Sequence, residues 1–134
     1  MKNVYPVFIK QHDNWFLAYV PDLDRMTQGE SFYDAIYMAR DLIGTFSLDY
    51  DLPDPSSDEA AVSIAKEKAD DEEFTFSDGR MVYIDIDTEA YRKKMDTRAV
   101  KKNCTIPAWL NDKAEEAGIN FSRVLQEALI SKLG

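Results

Sequence analysis

Arg98-Ala99-Val100-Lys101-Lys102-Asn103-Cys104-Thr105-Ile106-Pro107 decides how the last third of this chain is read. From Ala99 to Ile106 successive side chains alternate between two faces of an extended strand. Val100, Cys104 and Ile106 are apolar and share one face with Lys102, while Ala99, Lys101, Asn103 and Thr105 take the other. Such a strand cannot pair its own N–H and C=O groups, so it requires a partner, most simply the same strand of a second copy. Two copies form an antiparallel ribbon that displays Lys101, Asn103 and Thr105 of each chain on one side. A ribbon of that kind fits the B-DNA major groove, about 12 Å wide. There Lys donates to guanine O6 and N7, Asn pairs with adenine N6 and N7, and Thr offers a hydroxyl and a methyl.

Beyond the strand the sequence has the pattern of two short helices. Pro107 suits a first helical turn, where its missing N–H costs nothing. Trp109 or Leu110, with Ala114 and Ala117, gives that helix an apolar side. Gly118 fits a left-handed residue just past its end, with Ile119 as a hydrophobic plug. Asn120 or Ser122 then caps a second helix, whose apolar residues are Phe121, Val124, Leu125, Ala128, Leu129 and Leu133. Free N–H groups at Asn120, Phe121 and Ser122 would make an anion site suited to a DNA phosphate. The strand-helix-helix order is that of a ribbon-helix-helix module. A plain helical hairpin used only for dimerisation competes with it, leaving Lys101 and Asn103 as ordinary solvated residues. The mutual agreement of proline, glycine and cap favours the module.

Charge divides the chain at the same place. The 134 residues carry a net −9, but residues 1–90 hold seven Lys/Arg against 20 Asp/Glu, and residues 91–134 hold nine against five. An acidic body of −13 thus adjoins a basic end of +4. That asymmetry points to a nucleic-acid module on a body that repels nucleic acid and attracts basic protein. The expected organisation is an N-terminal domain over 1–90, a connector over 91–97 and the module over 98–134. Cys104 is the single cysteine, so no intrachain disulfide is possible. No apolar run approaches the roughly 20 residues of a membrane-spanning helix, and Met1–Pro6 lacks a signal-peptide core. The expectation is a cytoplasmic protein with no cofactor.

Within 1–90, Val4–Lys10 and Trp15–Val20 read as a β-hairpin around the polar stretch Gln11-His12-Asp13-Asn14. Pro21 stops the second strand, Asp22–Arg25 is a loop, and Met26-Thr27-Gln28 is a short third strand. Ser31 is placed to cap a helix with Asp34 in the capping-box position. Phe32, Ala35, Ile36, Ala39, Leu42, Ile43 and Phe46 form its core-facing stripe, packed on the sheet. Asp58–Lys68 predicts a short exposed helix. Phe74-Thr75-Phe76 and Arg80–Asp87 predict a second hairpin about Asp78-Gly79. In its last strand Val82, Ile84 and Ile86 share a face, and Thr88 is placed to cap a short helix through Lys94. The fold class is α+β, an antiparallel sheet with a packed helix plus the C-terminal β-α-α module.

Residues 98–134 resemble ribbon-helix-helix repressors of the Arc and MetJ kind, with Lys101, Asn103 and Thr105 on that family's three base-reading positions. The N-terminal part resembles the HicB antitoxin family. Trp15–Leu23 supplies an aromatic strand followed by Pro-Asp-Leu, Thr27-Gln28-Gly29-Glu30-Ser31 matches a T-x-G-[DE]-[ST] segment, and Asp34-Ala35 stands where Glu-Ala is usual. Val82–Asp87 matches a later V-x-[LIV]-x-V-D stretch, while Asp24-Arg25-Met26 departs from the Pro-Gly-Cys common after Pro-Asp-Leu. The match covers most of the chain and is weakest over 55–75. It implies a partial, non-catalytic ribonuclease-H-like N-terminal fold, a basic mRNA-cleaving HicA toxin as partner, and autorepression through operator DNA. The protein would be a homodimer through the ribbon, with higher oligomers open.

Three other assignments compete. Asp13, Asp85 and Asp87 are candidate carboxylates for two-metal nuclease chemistry, but with 14 Asp in residues 1–90 chance clusters are expected. His12 lies in a predicted turn and reads as a surface residue, and Cys104 reads as core rather than redox-active. A stand-alone ribbon-helix-helix regulator with an acidic sensor domain is the alternative function. On the antitoxin assignment, Asp22, Asp24 and Glu30 are placed in the toxin contact, with Asp70–Glu73 an equally charged rival.

Overall fold

The computed structural model describes all residues, 1–134, and they divide into two compact units, Met1–Thr97 and Arg98–Gly134. The fold is α+β: one four-stranded antiparallel sheet and five α-helices. No helix is long and apolar enough to cross a membrane.

The first unit is built on strands β1 (Lys2–His12), β2 (Trp15–Val20), β3 (Arg25–Gly29) and β4 (Arg80–Asp87), in the order β3-β2-β1-β4. β1 and β2 form the expected hairpin, but β1 runs on to pair His12 with Trp15, so the turn shrinks to Asp13-Asn14. Asp13 takes the left-handed conformation there, φ 54°, which Asp tolerates better than most residues. Central position explains why Tyr5–Ile9 is buried throughout rather than alternately: β1 has a layer on each face.

One layer is α1 (Phe32–Asp49). Its stripe is as expected: Ala35, Ala39 and Ile43 are fully buried against Tyr5, Val7, Ile9, Ala18, Val20, Ile84 and Ile86. Ser31 caps it by accepting from the Asp34 N–H at 3.0 Å. The Asp34 carboxylate reaches one residue further back than a capping box requires and takes the Glu30 N–H at 2.9 Å.

The other layer corrects an expectation. The helix at 58–68, α2 (Asp58–Lys68), is not a merely exposed helix: Ala61 and Ala65 are fully buried against Phe8, Tyr19 and Phe76. Methyl groups one turn apart let its backbone approach the sheet closely, and that stripe is too narrow to register as amphipathic. The predicted hairpin at 74–87 is also corrected. Phe74–Phe76 is not a strand, and β4 pairs with β1 along Lys2–Ile9 instead. Phe76 is a core residue of the second layer, and its loop is organised by Asp70, which accepts from the Phe76 and Ser77 N–H groups and the Ser77 hydroxyl. Burial pushes the Asp70 carboxyl up, but those hydrogen bonds outweigh it and hold it below the usual carboxylate range.

Residues 91–95, within the segment read as a connector, continue α3 (Thr88–Met95). Its cap is Asp87, which accepts the Ala90 N–H at 3.1 Å, and not Thr88. Thr88 is nearly buried and is bound to the Met1 amino group and carbonyl, so its side chain is committed elsewhere. Tyr91 fastens α3 to α1: its hydroxyl donates to Asp41 at 2.8 Å and lies 2.8 Å from the Thr45 hydroxyl. Its ring lies over Gly44, where an added Cβ would stand 2.5 Å from the ring.

The second unit holds α4 (Ala108–Glu116) and α5 (Phe121–Leu133), preceded by residues 96–107, which belong to no helix and no sheet of this chain. Pro107 sits one place earlier than expected, as the N-cap of α4 with ψ 143°, so the helix proper opens at Ala108.

Candidate functional site

The second unit presents the candidate nucleic-acid interface. α4 ends in the way Gly118 predicts. Gly118 has φ 69°, its N–H donates to the Glu115 carbonyl at 3.0 Å, and the Ile119 N–H donates to Ala114 at 3.0 Å. These paired bonds are the Schellman ending, which turns the chain sharply into the next element. Asn120 then caps α5, its Oδ1 accepting the Arg123 N–H at 3.1 Å. Cap and turn together leave the Phe121 and Ser122 N–H groups at the open end of α5, the place where a helix favours an anion. Arg123 pairs with Glu127 one turn on, 3.1 Å apart.

Residues 100–106 form no helix or strand within this chain. Lys102, Cys104 and Ile106 line a depression of about 300 Å³ together with Phe121, Ser122 and Leu125. Lys101, Asn103 and Thr105 do not line it and are exposed. Cys104, expected as core, is exposed within the single chain. So is most of the unit's apolar surface: Val100 is 77% exposed, Ile130 71% and Leu133 86%. No side chain of residues 98–134 is buried, and only Asn111 and Ala114 are half-buried.

The first unit presents the acidic surface. Of its three expected partner-facing carboxylates, Asp22 is half-buried and engaged within the unit. Its two oxygens take the Ser56 N–H at 3.1 and 3.2 Å and its Oδ1 takes the Ser56 hydroxyl, tying the loop before α2 to the turn after β2. Asp24 is exposed, in the left-handed region at φ 48°, and accepts the Tyr19 hydroxyl at 2.7 Å. Burial, and then the Asp24 carboxylate, push the Tyr19 phenol far above its ordinary range. Glu30 is exposed, beside the start of α1. In the rival run, Asp70 and Asp71 hold backbone N–H groups, while Glu72 and Glu73 are exposed.

The carboxylates considered for nuclease chemistry have separate structural tasks. Asp13 makes the hairpin turn, Asp85 pairs with Arg40 at 3.0 Å, and Asp87 caps α3. Nowhere do three His, Cys, Asp or Glu side chains converge as a metal site. His12 lies edge-on to Phe74, ring centres 5.1 Å apart. Sequence patterns pass over two groupings the fold creates. One is the Asp22–Ser56 tie, whose members are 34 residues apart. The other is a depression of about 340 Å³ lined by Ile9, Gln11, Phe16, Phe32 and Arg80, where Arg80 lies over the Phe32 ring at 5.1 Å. No family model, no curated protein and no solved structure matches the chain.

Proposed function

We propose that this chain is an antitoxin of the HicB kind, cytoplasmic and non-catalytic, which neutralises a HicA-like mRNA-cleaving toxin and represses its own operon as a DNA-bound dimer. One observation carries this: the division of charge coincides with a division of packing. Met1–Thr97 holds ten Lys/Arg against 21 Asp/Glu around two buried clusters, so it is a self-sufficient acidic body. Arg98–Gly134 holds six against four, with no buried side chain, so it needs a second copy to acquire a core. The order of a three-strand meander, a covering helix and a strand returned beside β1 supports a partial ribonuclease-H-like first unit. The Schellman turn between two capped helices supports a ribbon-helix-helix second unit.

In this proposal Lys101, Asn103 and Thr105 read bases, and the α5 start at Asn120, Phe121 and Ser122 takes a phosphate. Asn103→Ala should weaken binding to the chain's own promoter by about 1–3 kcal/mol for each base it ceases to read. Binding to random DNA should hardly change, since Asn carries no charge. Equal weakening on both DNAs, measured by anisotropy, would show that Asn103 reads no base.

For the toxin, Asp24 and Glu30 are the carboxylates left for contact, because Asp22 serves Ser56. A toxin that binds RNA presents a positive face, and an acidic body steers onto it and covers it. The test is co-expression of residues 1–97 with a HicA-like toxin, sought first as a small basic protein encoded beside this gene. Restored growth without residues 98–134 is the expected result. A folded 1–97 fragment that neither restores growth nor forms a complex on a sizing column excludes the antitoxin role. That outcome would favour the stand-alone regulator, for which the Phe16–Phe32–Arg80 depression would be the sensor site.

A further inference from the structure

The acidic unit ends in its most basic segment. Arg92, Lys93 and Lys94 occupy the last turn of α3, all exposed. The ion pairs of the unit's body, Lys10–Asp78 and Arg40–Asp85, lie elsewhere. From Arg92 to Asn111 the chain carries six Lys/Arg and a single acidic residue, Asp96. The three cations are displayed on a fixed support, because Tyr91 holds α3 to Asp41 and Thr45 while Asp87 and Thr88 anchor its start.

Covalent reach then limits where these cations can be. Lys94 precedes Lys101 by seven residues, at most about 25 Å of extended chain. With Lys101 on a base edge, the end of α3 can lie no further than about 25 Å from that base, so contact with the adjacent phosphates is within its covalent reach. B-DNA presents one negative charge per roughly 1.7 Å of axis. A body with 21 Asp/Glu brought that close is least repelled when it turns its cationic helix to the phosphates. We propose that Arg92, Lys93 and Lys94 form a second, sequence-independent phosphate-binding site on DNA held by residues 98–134. This rests on the DNA-binding role proposed above and adds to it a contact made by the first unit.

Cations in a final helical turn also favour the helix dipole, and α2 supplies the control. Lys66 and Lys68 are equally exposed in the last turn of α2, in the same unit. The experiment is anisotropy of the full-length protein on a random-sequence duplex from 50 to 300 mM NaCl. It compares wild type, Arg92→Gln/Lys93→Gln/Lys94→Gln, and Lys66→Gln/Lys68→Gln. Removing one cation–phosphate pair should reduce the log–log salt slope by about 0.9, so the triple variant should be flatter by roughly 2–3 per chain. At 0.1 M salt, removing two such pairs corresponds to roughly a hundredfold weaker binding. The control should keep the wild-type slope. Single Lys93→Gln, expected to flatten the slope by about 0.9, serves if the triple variant is poorly folded. An unchanged slope in variants that still bind DNA overturns this site alone. Equal flattening in the Lys66/Lys68 control overturns it as a bulk-charge effect. Absence of wild-type binding even at 50 mM NaCl overturns the DNA-binding role and this site together.

Discussion

Gly29→Ala is expected to destabilise Met1–Thr97 by about 3 kcal/mol or more, the upper end of what overpacking costs. Gly29 ends β3, where the chain doubles back into α1, and an added Cβ would lie 2.4 Å from the Ala35 nitrogen and 2.7 Å from the Asp34 carbonyl carbon. Both are backbone atoms in the first turn of a helix, so no side chain can swing aside. Relief requires α1 to lift from the sheet, which would disturb Ala35 and the core below it. Urea unfolding followed by tryptophan fluorescence should show a midpoint lower by at least about 1 M, given slopes of about 1–3 kcal/mol/M for small units. Gly118→Ala is the contrast. Nothing lies within 4 Å of its added Cβ, and the cost is the left-handed backbone alone, about 1–2 kcal/mol. A Gly29→Ala midpoint indistinguishable from wild type would mean that β3 and α1 do not meet as described.

Cys104→Pro is expected to convert the proposed dimer of the full-length protein to a monomer. The substitution removes a backbone N–H from the middle of 99–106, and an interior ladder does not tolerate proline. Val100, Leu129, Ile130 and Leu133 are all exposed in the single chain and are apolar surface that a partner could cover. A unit of residues 98–134 is also below the roughly 40 residues at which a core alone sustains a fold. Sedimentation equilibrium reads the result directly. A dimer of unchanged mass and affinity in the proline variant would place the interface elsewhere.

Legibility in the sequence followed the range of the interactions. The α1 stripe, the Ser31 cap, an α5 cap at Asn120 or Ser122 and the Gly118 turn were all readable, because each depends on neighbours within about one helical turn. The Val82/Ile84/Ile86 face of β4 was readable from its alternation, but its pairing was not. Adjacent hairpin partners are the usual expectation, and here β4 crosses to Lys2–Ile9. The burial of α2 was hidden because Ala61 and Ala65 carry so little hydrophobicity that only the sheet beneath them reveals their role. At the candidate sites, the alternation of Lys101, Asn103 and Thr105 could be read in advance. The withdrawal of Asp22 could not, since it depends on Ser56, a residue in the stretch with the least recognisable pattern.

The absence of buried side chains in residues 98–134 makes copy number a variable of the molecule. The first unit folds around its own core, and dilution leaves it intact. A half that completes its core by pairing loses about 1.4 kcal/mol of assembly free energy with every tenfold dilution. In the proposed dimer, therefore, the acidic half would persist at low abundance while the basic half would fray and become the first substrate for proteases. On the function proposed above, scarcity would silence repression before it silenced neutralisation, and expression would resume while the remaining molecules still restrained the toxin. A single polypeptide would thereby answer its own concentration at two thresholds, set by where its apolar surface is satisfied within one chain and where it is shared between two.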